Sequence, residues 1–116
     1  MRDDRARLSD IAEALEKIDR YTRRGKDSFL ADELVQVWVI HHLQMIGEAA
    51  NGITAAIRER SPDVPWGEII GLRNILVHHY FAINAQEIWA VVERDLPPLR
   101  PAIQRILKEM GKRSGS

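Results

Sequence analysis

Leu8, Ile11, Leu15 and Ile18 recur at spacings of three and four, which predicts a helix from about Asp4 to Arg24 with a single apolar stripe. Gly25 ends it, and Asp27 or Ser28 is placed to cap a second helix. That helix is expected to run through Leu34, Val37, Trp38, Ile40, Leu43, Ile46, Ala50, Ile53 and Ile57. Its length would be roughly 28 residues, or ~42 Å at the usual rise. Its apolar positions cover more than one stripe, so it calls for two partners, one inside the subunit and one outside. Pro62 and Pro65 break the pattern, and Arg58 to Pro65 reads as a loop. A shorter helix starts near Trp66 and carries Ile69, Ile70, Leu72, Ile75 and Leu76. Asn84 with Glu87 resembles a capping box opening a further helix through Ile88, Val91 and Val92. Pro97, Pro98 and Pro101 either kink that helix or restart it, and Ile103, Ile106, Leu107 and Met110 give a last stripe ending at Gly111. No strand pattern or internal repeat interrupts this. The expected fold is all-α, an antiparallel bundle of about four to five helices, with one domain over residues 1–111 and a disordered tail at 112–116.

Length and composition narrow the function classes. A chain of 116 residues with 45% hydrophobic content forms one core and has no room for a second. The 17 basic and 17 acidic residues cancel, so any contact with RNA must be local and not a consequence of overall charge. The absence of cysteine removes disulfides, thiolate catalysis and Cys-based zinc sites, and fits a reducing cytoplasm. Met1 to Arg5 leads into an amphipathic segment and not an apolar signal region, and the most apolar stretch, Leu34 to Ile57, is interrupted by polar residues. A cytoplasmic protein with no membrane association is expected.

Candidate chemistry concentrates in Arg73-Asn74-Ile75-Leu76-Val77-His78-His79-Tyr80. Arginine matches phosphate oxygens with a planar fork of donors, and histidine exchanges a proton near neutrality, a combination suited to phosphodiester cleavage without a metal. Asn74 and His78 share a helix face, so the amide is placed to fix the imidazole tautomer. Arg73 and His78 lie about 140° apart on an ideal helix. Either the helix distorts, the long arginine wraps across, or the site draws on more than one subunit. Mechanism favours the last: in-line cleavage through the 2′-hydroxyl needs a base and an acid on opposite sides of phosphorus, and a twofold dimer supplies two copies of His78. His79 is the rival within one chain, but it diverges from His78 by about 100° and reads as structural or solvent-facing.

Other polar residues carry less. His41, His42, His78 and His79 lack any metal-ligand spacing, so neither a metal nor another cofactor is expected. Glu48 is either a solvated acid or a carboxylate that orients Arg73. Trp38, Trp66 and Trp89 read as core or interface residues. The basic excess Arg100, Arg105, Lys108, Lys112 and Arg113 reads as a wet face, with an RNA-backbone contact as the alternative.

The pattern Arg73-Asn74-x-x-x-His78-x-Tyr80 resembles the signature of HEPN-domain ribonucleases, and the flanks narrow this to the HepT-like toxins of prokaryotic toxin–antitoxin pairs. Gln44-Met45-Ile46-Gly47-Glu48-Ala49-Ala50, Pro65-Trp66 with Gly71-Leu72, and Leu96-Pro97 with Leu99 are similar to the family's flanking segments. The resemblance implies a HEPN-like bundle that dimerises with its motifs facing each other. It also implies a metal-independent endoribonuclease leaving a cyclic phosphate, and an antitoxin that is a minimal nucleotidyltransferase able to transfer AMP to Tyr80. Toxin and antitoxin would then associate in a larger assembly. Two other readings stand beside it: a non-catalytic helical module that docks a protein through its apolar central helix, and a nucleotide-binding adaptor in which Arg73 holds phosphate without turnover.

Overall fold

A computed structural model describes residues 3–71 and 85–115, with side chains described as far as Met110. Among these residues the chain is helical, and no strand is present. The helices are α1 (Asp4–Thr22), α2 (Lys26–Ala31), α3 (Glu33–Asn51), α4 (Ala55–Glu59), α5 (described at 66–71), α6 (Ala85–Arg94) and α7 (Leu96–Gly115). The all-α expectation holds, with shorter and more numerous helices than the hydrophobic pattern suggested.

The first helix keeps nearly the bounds its spacing predicts. Asp3 caps it, its carboxylate accepting from the Ala6 N–H at 2.8 Å. Leu8, Ile11, Leu15 and Ile18 are all buried. Gly25 sits at φ 98°, a left-handed conformation that suits glycine, and starts α2 directly. Asp27 and Ser28 therefore lie within the first turn of α2 and are not its cap.

The long central helix of the sequence reading is broken twice. At Asp32 the backbone is extended (φ −120°, ψ 99°), and the carboxylate caps α3 by accepting from the Val35 N–H at 3.2 Å. The Gln36 side-chain amide then satisfies the open end of α2, donating to the carbonyls of Phe29 (2.9 Å) and Leu30 (3.1 Å). At the other end α3 stops at Gly52, and Asp4 holds the next turn: its carboxylate accepts from the Thr54 N–H at 3.0 Å and the Thr54 hydroxyl at 2.7 Å. Polar side chains thus end a helix that apolar periodicity alone would continue.

The core lies where α1 packs antiparallel on α3, with α7 closing over α1. Val39, Leu43, Ile46 and Ala50 of α3 meet the α1 stripe, and Leu99, Ile103 and Ile106 of α7 complete the buried cluster. The prolines resolve in favour of a restart. Pro97 and Pro98 occupy the first turn of α7, where a missing N–H is harmless, while Pro101 lies inside the helix. The helix continues to Gly115, past Gly111 where the apolar stripe ends. The Asn84 cap lies outside the described residues. No helix among the described residues is long and apolar enough to cross a membrane.

Leu43 is fully buried at the α1–α3 contact. Leu43→Ala should cost about 2–5 kcal/mol of stability, read as a lower denaturant midpoint at unchanged slope.

Candidate functional site

Arg73, Asn74, His78, His79 and Tyr80 lie outside the described residues, so the site is built from what surrounds them in sequence and from Glu48. The approach to the motif is firmly seated. Trp66 and Ile69 of α5 are buried, and the Trp66 indole N–H donates to the Ser61 carbonyl at 3.0 Å. Ser61 is itself completely buried, and its hydroxyl oxygen accepts from the Arg105 guanidinium of α7 at 2.6 Å. Arg60 pairs with Glu109 of the same helix. The turn that delivers the chain to α5 is thereby pinned to α7 by two arginines.

Glu48 is exposed on α3. It lines an open cleft of about 410 Å³ with His41, Gln44, Met45 and Ala49 of the same helix and Arg7 and Asp10 of α1. The α3 residues share a face because their spacing follows the helical repeat. The cleft's base is fixed by Arg7, whose guanidinium donates to the Gly52 carbonyl at 2.6 Å and lies so close over Gly52 that a side chain there would collide with it. Sequence reading passed over Arg7 and Gly52. No local pattern links residues so far apart in the chain.

The two central histidines have opposite fates. His42 is 2% exposed, and its Nδ1 lies 2.8 Å from the Trp38 carbonyl. A carbonyl can only accept, so Nδ1 carries the proton and His42 acts as an internal brace within α3. His41 is exposed and stacks on Trp38, with ring centroids 5.8 Å apart and planes inclined by 26°. Among the described residues no group of His, Asp and Glu could hold a metal ion.

Trp66 and Trp89 are core or part-buried, as expected, with Trp89 packed on Phe29 at 5.4 Å between centroids and its N–H donating to Glu93 at 2.8 Å. Trp38 is outside the core, half-exposed on α3. Of the C-terminal cations, Arg105 and Lys108 are exposed as on a wet face, while Arg100 and Arg105 also make fixed contacts. Arg100 donates to the Leu15 carbonyl at 3.1 Å and lies 3.8 Å from Asp19, while Arg105 serves Ser61 and sits 3.7 Å from Asp63. Arg100 ties α7 to α1 and Arg105 ties α7 to the turn before α5, and the side chains of Lys112 and Arg113 lie outside the described residues.

The HepT-like family model, described as ribonuclease HepT-like, matches residues 11–106. The chain belongs to the HepT-like ribonuclease family. It is 36% identical over 104 residues to the "Putative RNase MJ1380" of Methanocaldococcus jannaschii, covering 89% of this chain and 95% of that protein. It is also 36% identical over 102 residues to the "Probable ribonuclease HepT" of Thermococcus cleftensis, covering 87% and 93%. A "Putative RNase TTE0752" of Caldanaerobacter subterraneus is 32% identical over 92 residues, covering 79% and 82%. No solved structure gives a significant match. The matched region of the HepT-like chain contains Arg73 to Tyr80, most of α1, all of α3 and about half of α7.

Arg7 joins the start of α1 to the end of α3 through one charge-assisted hydrogen bond to Gly52. Arg7→Ala should therefore lower stability by about 1.5–3 kcal/mol in chemical denaturation, and Arg7→Lys should recover only part of it.

Proposed function

We propose that this HepT-like chain is the toxin of a prokaryotic toxin–antitoxin pair and a metal-independent endoribonuclease acting in the cytoplasm. The observation that carries the reading is the family match over residues 11–106, within which Arg73, Asn74, His78 and Tyr80 form a complete Arg-x4-His-x-Tyr set. The ribonuclease names of its relatives support it from a second side.

In the proposed reaction one His78 takes the proton of a 2′-hydroxyl, whose oxygen attacks the adjacent phosphorus. A second His78, from the twofold-related subunit, gives a proton to the departing 5′-oxygen. The O2′–P bond forms as the P–O5′ bond breaks, leaving a 2′,3′-cyclic phosphate and a free 5′-hydroxyl. Arg73 stabilises the negative charge that builds on the non-bridging oxygens, and Asn74 holds the imidazole in its working tautomer. Glu48 is proposed as the carboxylate that orients Arg73, with His79 in a supporting position.

The proposed antitoxin is a minimal nucleotidyltransferase. The phenol oxygen of Tyr80 attacks the α-phosphorus of ATP, AMP is transferred and pyrophosphate leaves. The new phosphodiester places an anion two residues from His78, where it would compete for Arg73 and fill the space of the substrate. The non-catalytic alternative is favoured by one observation, the exposed apolar face of α3, which would dock a partner with no cleavage at all.

Purified protein should cut RNA in excess chelator, and Arg73→Ala or His78→Ala should each reduce the rate by roughly 10² or more while leaving the helical circular dichroism unchanged. Equal cleavage by both variants would assign the activity to a contaminant. Co-expression with a minimal nucleotidyltransferase should raise the intact mass by one or more AMP units, and Tyr80→Phe should abolish the rise. An unchanged mass in a pair that neutralises toxicity would rule out modification in favour of occlusion.

A further inference from the structure

The cleft between α1 and α3 holds a polar group that the fold itself does not use. Gln44 is part-buried on its α3 wall, and its side-chain amide makes no hydrogen bond among the described residues. The other glutamine of α3 behaves differently: Gln36 donates to the carbonyls of Phe29 and Leu30 and closes the end of α2. A primary amide offers two donors and an acceptor in one plane, which matches the edge of a heterocyclic base. Gln44 brings that plane to a cleft of about 410 Å³, a volume in the range of small-molecule sites.

What surrounds the amide says which ligand fits. His41 lies one turn before it on the same wall, exposed, with its ring against Trp38 at 5.8 Å between centroids and 26° between planes. Met45 adds a flexible, polarizable thioether. Such groups take the face of a planar ring, and stacking of this kind serves any base. Charge then decides which part of a nucleotide enters. The cleft carries two carboxylates, Asp10 and Glu48, against one guanidinium, that of Arg7, which is already turned to the Gly52 carbonyl. A phosphate there would meet a surplus of negative charge, whereas an uncharged base with an amino group would meet acceptors.

We propose that this cleft binds a base of the substrate RNA, and that Gln44 selects adenine or cytosine over uracil. Both favoured bases present an exocyclic amino group beside an unprotonated ring nitrogen. The Gln44 carbonyl accepts one amino N–H and its NH2 donates to the ring nitrogen. The second amino N–H is left for Glu48, four residues along the same helix face. Uracil places a carbonyl oxygen where the amino group would be, which sets lone pairs against a carboxylate. Guanine carries a donor N1–H beside its amino group, where the amide needs an acceptor. Binding of the base stands on the cleft alone. Its bearing on cleavage rests on the ribonuclease reading, in which Glu48 also orients Arg73 and so holds base and scissile phosphate in one register. A carboxylate has acceptor sites enough for both.

Two sets of oligonucleotides test this with the full chain. In the first, a DNA strand carries a single ribonucleotide as its only cleavable linkage, and the base is varied among the four at that ribonucleotide or at its 3′ neighbour. In the second, the ribonucleotide is 2′-O-methylated, so nothing can be cut, and affinity is read by fluorescence anisotropy. At one of the two positions adenine and cytosine should exceed uracil by roughly tenfold in kcat/KM and in affinity. Gln44→Ala should bring adenine and cytosine down to the uracil level and leave uracil unchanged. Gln44→Glu, which lacks the donor arm, should move the preference to guanine. His41→Ala should weaken all four bases alike, and His41→Phe should restore them. Equal handling of the four bases by the unaltered chain, or a loss in Gln44→Ala that falls equally on all of them, would overturn the proposal. Unaltered helical circular dichroism separates either result from misfolding, and Gln44→Glu gives a second reading if Gln44→Ala does not fold. If nothing is cut but the methylated adenine and cytosine strands bind through Gln44, the nuclease reading falls and the base site stands. Cleavage that ignores the base does the reverse.

Discussion

The packing of α1 against α3 is the constraint on which the rest of this molecule depends. Two antiparallel stripes interlock over nearly the full length of both helices, Leu8, Ile11, Leu15 and Ile18 on one side and Val39, Leu43, Ile46 and Ala50 on the other. Polar contacts lock the register at one end, where Arg7 reaches the Gly52 carbonyl and Asp4 holds Thr54. Buried apolar area supplies most of the stabilisation, and the hydrogen bonds specify which of several similar registers is adopted. A helix committed on one side has a defined outer side. The cleft with Glu48 and the exposed seam of Leu34, Trp38 and Met45 both exist because α3 turns its core residues toward α1.

Much of this was legible in the chain itself. The spacing of Leu8 to Ile18 located α1 almost to the residue, because a single stripe on an otherwise charged segment permits only one face inward. Periodicity misled where it was continuous. Phe29 in α2 and Ile57 in α4 are buried like the core residues of α3, so the apolar pattern runs unbroken through Asp32 and Gly52. The breaks come from the Asp32 cap, the Gln36 amide and the Asp4–Thr54 contact. The last of these joins residues fifty positions apart, and no local rule reports it.

The candidate chemistry shows the same division. Arg73, Asn74, His78 and Tyr80 are recognisable as a set from residue types and spacing, because phosphodiester cleavage needs a permanent cation near a titratable base. What the sequence could not supply was the fate of groups whose role depends on a distant partner. His41 and His42 are neighbours in the chain, yet one is exposed on the seam and the other is an internal brace to the Trp38 carbonyl. Adjacent helical positions diverge by about 100°, which says that two histidines differ but not which one faces water. Arg100 and Arg105 show a related division. As a run of cations they suggested a surface, and Arg105 is exposed, yet each is also directed at a fixed acceptor in another part of the fold.

That use of cations bears on how a neutral protein would hold a polyanion. Arg7, Arg60, Arg100 and Arg105 all satisfy internal acceptors, and the cleft beside Glu48 also contains the carboxylate of Asp10. With a formal net charge of zero there is little long-range field to gather RNA, and each phosphate contact must be made at short range. Under the ribonuclease reading, recognition therefore rests on the motif's own arginine and not on a broad basic surface.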